Sequence, residues 1–291
     1  MLHTSLSSNG IPLPTTAQYV GYLAETSAQS AAEGVAKRQF AQDGYLLMRD
    51  IIDREKVLDI REAYLRMFGE TFVKNGDYRR GEFSGVAPEG LPRHGFPGHP
   101  AHAFVRSEIF LNFVDSPEFR KLAEDLLGGP VERVRRTPLR HFIKGQKAAS
   151  RAHIDRTYID SRKDDFVTLW IPLGDCPVEA GGLVYLEGSH EDGSMEAIKE
   201  VAKTGAVPTD RPDDSRPITH DLRWMSDVTR KRWLMTNYGA GDVIAHSPVI
   251  VHASLDSASD LMRISTDVRF IRAGAPCDPR WQQDWSADDG H

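Results

Sequence analysis

Beyond residue 130 the chain changes texture, and that change restricts the fold more than any other feature. VERVRRTPLRHFI (131–143), DFVTLWIPL (165–173), GGLVYLEGSH (181–190), GDVIAHSPVIVH (241–252) and LMRISTDVRFI (261–271) are short, β-rich and punctuated by Gly, Asp and Pro. Helical patterns precede them. Asp53 predicts the N-cap of a helix over DREKVLDIREAYLRMFGETF, where Val57, Ile60, Tyr64, Leu65 and Phe68 recur at helical spacing. A further helix follows Ser116-Pro117 and stops at Gly128-Gly129. Helices first and strands afterwards, without βαβ alternation, disfavour a Rossmann or TIM architecture. They predict a mainly β protein, a sandwich or barrel with N-terminal helices packed outside.

The remaining segments carry weaker signals. Residues 1–17, rich in Ser, Thr, Pro and Gly, read as a disordered N-terminus, and 18–43 as a helix ending at Asp43-Gly44. YLLMRDII (45–52) reads as a strand, and 76–104, full of Gly, Pro, Arg and His, as an irregular loop. Residues 18–291 then form one catalytic domain, with an insertion over 191–238 shielding the active site.

Length and charge narrow the function. A chain of 291 residues can bury a substantial core, and a net charge of −6 argues against nonspecific nucleic-acid binding. No apolar run approaches the roughly 20 residues needed to cross a bilayer. Cys176 and Cys277 allow at most one disulfide, and the N-terminus lacks a signal-peptide pattern. A reduced, cytoplasmic enzyme is expected. Neither a G-x-G-x-x-G nor a Walker motif is present. Oligomeric state is not legible.

The chemistry turns on RAHIDRTYID (151–160), where His153 and Asp155 stand two residues apart. Alone, H-x-D is only a polar turn. A third ligand must come from a later strand, and 239–270 offers His246 and His252, which share a face of a continuous strand. Two His and a carboxylate form the facial triad that holds Fe(II) and leaves positions open for a 2-oxo acid and O2. Downstream, Arg263, Ser265, Asp267 and Arg269 fall on one strand face. Arg263, with a hydroxyl two residues on, can clamp the far carboxylate of 2-oxoglutarate.

From residue 40 to 272 the sequence resembles the phytanoyl-CoA hydroxylase-like Fe(II)/2-oxoglutarate dioxygenases. The resemblance is carried in order by FAQDGYLLMRDIIDREKV (40–57), His153-x-Asp155, TLWIPLGDCPVEAGGLVYLEGSH (168–190), GAGDVIAHSPVIVH (239–252) and Arg263. Within that family it looks most like bacterial tailoring hydroxylases of secondary metabolism, including terpenoid-acid hydroxylases. The resemblance implies a double-stranded β-helix with iron on His153, Asp155 and His252. His246 becomes a residue that supports the ligands or walls the site, and His190 a structural one. Arg263 holds 2-oxoglutarate, with Ser265 and Trp170 lining its pocket, although both could equally be ordinary strand residues. The implied reaction takes Fe(II), 2-oxoglutarate and O2, with ascorbate in vitro. It hydroxylates an unactivated C–H of a small organic molecule and releases succinate and CO2. Desaturation, cyclisation or epimerisation are alternative outcomes of the same chemistry. Halogenation is disfavoured, because Asp155 fills the position that a halide would need. A non-enzymatic cupin-like binding protein is the remote alternative, and a zinc hydrolase lacks an evident general base.

Two clusters need weighing. His94, His99 and His102 fit no standard zinc spacing and read as a loop that folds over the active site. The basic stretch 132–151 is either a solvated edge or a contact for an anionic substrate. Arg133, Arg135 and Thr137 share one strand face, Val134 and Arg136 the other. On the second reading Arg135 and Arg140 contact that anion.

Overall fold

A computed structural model of the protein describes residues 5–26, 34–146, 148–159, 165–191, 193 and 217–285. Its strands are β1 (Leu6–Ser8), β2 (Ile11–Leu13), β3 (Val20–Tyr22), β4 (Glu25–Thr26), β5 (Tyr45–Met48), β6 (Val131–Arg133) and β7 (Leu139–Phe142). They continue with β8 (Phe166–Pro172), β9 (Leu183–Leu186), β10 (Trp233–Met235), β11 (Val243–His246), β12 (His252–Ser254) and β13 (Arg263–Arg272). A seven-stranded sheet runs β4-β5-β11-β8-β13-β6, with β7 also paired to β13. A four-stranded sheet runs β12-β9-β10-β3. The protein is therefore mostly sheet, with few helices.

Period-two alternation explains why these strands are buried on both faces. On one face of the larger sheet Leu46, Met48, Leu169, Ile171, Val243, Ile264, Val268 and Phe270 join the helices in the main core. Three helices supply much of that cover: Arg54–Leu65, Glu108–Val114 and Pro117–Leu127. Each such fully buried side chain contributes about 1.5–3 kcal/mol. From the other face Tyr45, Leu47, Trp170 and Ile244 meet Leu183, Tyr185 and Leu234 of the smaller sheet. The polar residues of the site lie between the two sheets.

The helix boundaries follow local chemistry. The Asp53 side chain accepts from Glu55 N at 2.9 Å, and the five apolar residues of its predicted stripe are all buried. Pro117 opens its helix, and Gly128 ends it in the left-handed region.

Three expectations need correction. Residues 6–13 form a β-hairpin rather than a disordered tail. Asn9 (φ 52) and Gly10 (φ 78) make its two-residue turn, the geometry that Asn-Gly favours. Asp256 accepts from Ser7 Oγ and from the backbone N–H of Asn9 and Gly10 at 2.7–2.9 Å, fixing the hairpin to the body. The helix expected over 18–43 is confined to Val35–Asp43, and β3 and β4 precede it. β3 pairs in parallel with β10, and a Cβ on Gly21 would stand 2.9 Å from Leu234 Cδ2, so a larger residue there would have to push that side chain aside. The proposed insertion is not wholly an insertion: β10 is an interior strand, hydrogen-bonded to β9 and β3. Residues 192 and 194–216 of it lie outside the described residues.

Candidate metal centre

Ile154 is extended (φ −118, ψ 141), so His153 and Asp155 project to the same side. That is what the H-x-D spacing achieves. Asp155 then opens a single 3-10 turn, and its carboxylate is buried. The backbone of His153 pairs antiparallel with His252, and each N–H donates to the other's carbonyl at 3.0 Å. The two imidazoles are thus set side by side by the backbone, 4.3 Å between ring centroids.

The donor atoms of His153, Asp155 and His252 all lie within 4.8 Å of one another, the one such cluster among the described residues. Each of these two His Nδ1 atoms lies against a backbone carbonyl, His153 against Arg151 O (2.6 Å) and His252 against Ile250 O (3.2 Å). A carbonyl only accepts, so Nδ1 carries the hydrogen and Nε2 keeps its lone pair. Both Nε2 atoms point at Asp155 Oδ1, from 3.9 and 3.8 Å. Burial pushes both imidazoles down, His252 strongly, so both are neutral at pH 7. Burial alone would raise the Asp155 carboxyl. Arg269 foremost, then His246 and His252, hold it well below the usual carboxylate range. Two neutral imidazoles and one carboxylate are the donor set that suits a divalent first-row metal.

Farther along the same face of β13 the interior carries unsatisfied donors. Arg263 is 1% exposed. Its Nη1 donates to Gly181 O at 2.6 Å, and its guanidinium lies 4.1 Å over the Phe142 ring. Its Nε and Nη2, Ser265 Oγ and Trp170 Nε1 are buried without a hydrogen-bond partner among the described residues. Burial pulls the Arg263 guanidinium down to about 10, so it stays charged at neutral pH. Leaving such groups unpaired costs several kcal/mol, in rough terms. A carboxylate, which accepts from a guanidinium edge and a hydroxyl together, is the group that would satisfy them.

His246 also faces this interior, but its Nε2 is turned to Asp155 Oδ2 (3.4 Å) and its Nδ1 to the Tyr185 hydroxyl (3.1 Å). Thr168 Oγ1 donates to the same Oδ2. His190 is buried beside Gly44 and is not among the residues of the His153–Asp155–His252 cluster. His94 Nε2 meets Leu139 O at 2.8 Å, and the His94 ring lies 6.4 Å from that of Phe142. His99 caps the helix Pro100–Phe104, and His102 sits edge-on to Trp285. His94 packs the loop onto β7 beside Phe142, and none of the three belongs to a metal cluster among the described residues.

The basic stretch finds partners in the protein itself. Arg133 pairs with Asp115 and Arg135 with Asp284, both at 2.6 Å, while Lys144 reaches Asp260 at 2.8 Å. Arg135 is thus an exposed pair, which fits the solvated-edge reading of the stretch and not the anion-contact one. Val134 and Arg136 turn inward instead, both buried, with Arg136 against Trp281. Arg140 does reach the site, where its Nε lies 3.3 Å from Asp267 Oδ2. Sequence reasoning missed Thr168, Tyr185 and Arg269 as neighbours of the triad. Strand register placed Arg269 on the correct face, but nothing local links Tyr185 to a histidine on the other sheet.

Residues 40–265 match the profile of the phytanoyl-CoA dioxygenase family. Among curated proteins, 1-deoxypentalenic acid 11-beta-hydroxylase of Streptomyces arenae is 24% identical over 250 residues, covering 82% of this chain and 81% of that one. Solved structures of similar fold include the non-heme alpha ketoglutarate dependent carbocyclase SnoK from nogalamycin biosynthesis. It has a TM-score of 0.58 at 21% identity, covering 87% of this chain and 89% of that one. The epimerase SnoN, in complex with Fe3+, alpha ketoglutarate and nogalamycin RO, has a TM-score of 0.55 at 20% identity, covering 84% and 85%.

Proposed function

The chain belongs to the phytanoyl-CoA dioxygenase family, and on that premise we propose that it hydroxylates an unactivated C–H of a small organic molecule. It is an iron- and 2-oxoglutarate-dependent enzyme. His153, Asp155 and His252 would hold the iron, within one catalytic domain whose two facing sheets form a double-stranded β-helix. The observation that carries this reading is the aim of two neutral Nε2 lone pairs at one oxygen of a charged, buried carboxylate. When bound, the metal and 2-oxoglutarate supply the oxidising chemistry, consuming O2 and releasing succinate and CO2.

The protein's own part is positioning and exclusion of water. Arg263 and Ser265 would take the far carboxylate of 2-oxoglutarate, because Arg263 Nε and Nη2 and Ser265 Oγ have no acceptor among the described residues. Trp170 walls that pocket, its ring 6.0 Å from the Arg263 guanidinium. An anionic group on the substrate would meet Arg140 at the edge of the site, where it is already poised over Asp267. No helix among the described residues is long and apolar enough to cross a membrane. Cys176 and Cys277 are both free, in keeping with a reduced cytoplasm.

Incubation with candidate metabolites, Fe(II), 2-oxoglutarate, O2 and ascorbate tests the reading, followed by product mass and succinate. A gain of one oxygen is expected. Epimerisation, the activity of SnoN, leaves the mass unchanged, and loss of two hydrogens marks desaturation or ring closure. No succinate with any substrate, under conditions where iron binds, would return the chain to the class of binding proteins.

A further inference from the structure

Three histidines face the space between the sheets, yet only two offer a lone pair there. His246 differs through its partners. A carboxylate accepts hydrogen bonds and cannot donate, so the contact of His246 Nε2 with Asp155 Oδ2 requires the hydrogen on Nε2. Its Nδ1 is then the acceptor, and the Tyr185 hydroxyl at 3.1 Å is the donor. Thr168 Oγ1 donates to the same Asp155 oxygen, and Arg269 Nε stands 3.5 Å from it. Oδ2 therefore receives two hydrogen bonds and a nearby positive charge. Oδ1 faces the Nε2 atoms of His153 and His252.

We propose that Tyr185, acting through His246, and Thr168 are positioning residues that occupy Oδ2 of Asp155, so that this carboxylate presents Oδ1 alone to the metal. The proposal rests on the metal-site reading above. Tyr185 lies on β9 of the smaller sheet, whereas His246 and Thr168 lie on β11 and β8 of the larger one. The relay thus ties the ligand geometry to the spacing of the two sheets. Without the Tyr185 hydroxyl, His246 Nδ1 loses the donor that holds the ring. The imidazole can then turn and draw its Nε2 hydrogen away from Oδ2, so the carboxylate loses one of its two hydrogen bonds there. Without the Thr168 hydroxyl, Asp155 is free to rotate and offer both oxygens. Outer partners of this kind are worth about 10- to 100-fold in metal affinity.

Co(II) alone, without 2-oxoglutarate or substrate, is the probe, titrated by calorimetry and followed by its visible spectrum. Tyr185→Phe and Thr168→Val should each weaken Co(II) binding about 10-fold and change the Co(II) band, with the melting temperature of the metal-free protein little altered. Thr168→Ser, which keeps the hydroxyl, should restore both. The decisive arm is a double-mutant cycle. His246→Leu removes both the donor to Oδ2 and the acceptor for Tyr185, so Tyr185→Phe should cost nothing further in that background. His252→Ala serves as the control and should abolish tight Co(II) binding. If His252→Ala binds Co(II) like wild type, the metal-site reading itself fails. If that control behaves but Tyr185→Phe and Thr168→Val bind within about twofold of wild type, the relay is wrong. Equal cost of Tyr185→Phe in both backgrounds would make Tyr185 a packing residue and also overturn it.

Discussion

Arg61 and Arg263 are two arginines of equal burial and opposite meaning. Each is 1% exposed, and burial pulls each guanidinium down to about 10. They are joined through the chain, since Arg61 donates to the carbonyl of Met262, the residue before Arg263. Arg61 also donates to the carbonyls of Leu173, Arg80 and Gly81 at 2.7–3.2 Å, leaving only Nε without a partner. It ties the end of β8 and the start of β13 to the turn at 80–81. Arg263 has one such bond and two idle nitrogens. Burial depth and charge are the same, so what separates a structural clamp from a ligand anchor is the count of satisfied hydrogen bonds. The helix-facing side of the larger sheet closes on itself, while the inner side is left incomplete for something to bind.

The largest expected effect breaks the clamp. Arg61→Ala would take the side-chain donor from the carbonyls of Leu173, Met262, Arg80 and Gly81, of which Gly81 O keeps the Met262 N–H, and each buried acceptor left without a partner costs about 1–3 kcal/mol. Together these are a large part of the roughly 5–15 kcal/mol holding a domain together. Urea unfolding should show the midpoint collapse. A loss below about 1 kcal/mol would mean water replaces the guanidinium freely and the contrast with Arg263 is false.

The next experiment inverts the sign. Arg263→Met removes an under-paired buried charge and fills its space, so the metal-free protein should be unchanged or stabilised by up to about 1–4 kcal/mol. The same variant should lose 2-oxoglutarate. Ligand at about 100 times its Kd stabilises by about 2.7 kcal/mol, so 2-oxoglutarate with metal should raise the melting temperature of wild type and not of the variant. A variant that melts far below wild type and still responds to 2-oxoglutarate would exchange the roles of the two arginines.

Much of this was legible in the sequence where a rule of short range applies. The order Arg263, Ser265, Asp267, Arg269 on one face needs only the period of a strand, and β13 runs straight enough to keep it. The pairing of His153 with Asp155 needs one extended residue. The caps at Asp53 and Gly128 are decided within a turn of helix. What was missed depends on partners distant in sequence. β3 and β4 pair in parallel with β10 and β5, and a two- or three-residue strand has no pattern of its own. Asn9-Gly10 was a readable turn hidden by the polar composition around it. The arginines of 132–151 look like an anion site until Asp115, Asp284 and Asp267 arrive from elsewhere in the chain to pair with three of them.

A gentler change sharpens the anchor. Arg263→Lys keeps a cation but loses the fork, so its one charge cannot serve two acceptor directions at once. The KM for 2-oxoglutarate should rise about 10-fold, equivalent to about 1.4 kcal/mol, with Co(II) affinity unchanged. An unchanged KM would move the anchor elsewhere, and Arg269 is the first candidate to test.

The smallest effect concerns the exposed counterpart of the Arg61 clamp. Asp175 follows Gly174 at the end of the β8 turn and takes a two-point contact from Arg54, 2.7 Å at each oxygen, plus the N–H of Ala240 at 3.0 Å. The Arg54 hydrogen bonds foremost, against the opposing effect of burial, hold its carboxyl below the ordinary value. A carboxyl held low in the folded state binds fewer protons there than in the unfolded chain. Its stabilisation is therefore complete above the unfolded value of about 3.9 and is lost as pH falls through the depressed folded value. Half of each side chain is in water, so solvent screens the pair and its worth is under about 1 kcal/mol. Asp175→Asn should cost that much at pH 7, less in high salt, and the gap from wild type should close as the pH is taken down past 3.9. A gap that widens on acidification would mean that Asp175 is raised rather than lowered on folding. A gap of several kcal/mol at pH 7 would mean that this rim contact belongs with the buried Arg61 clamp and not with the solvent-exposed pairs.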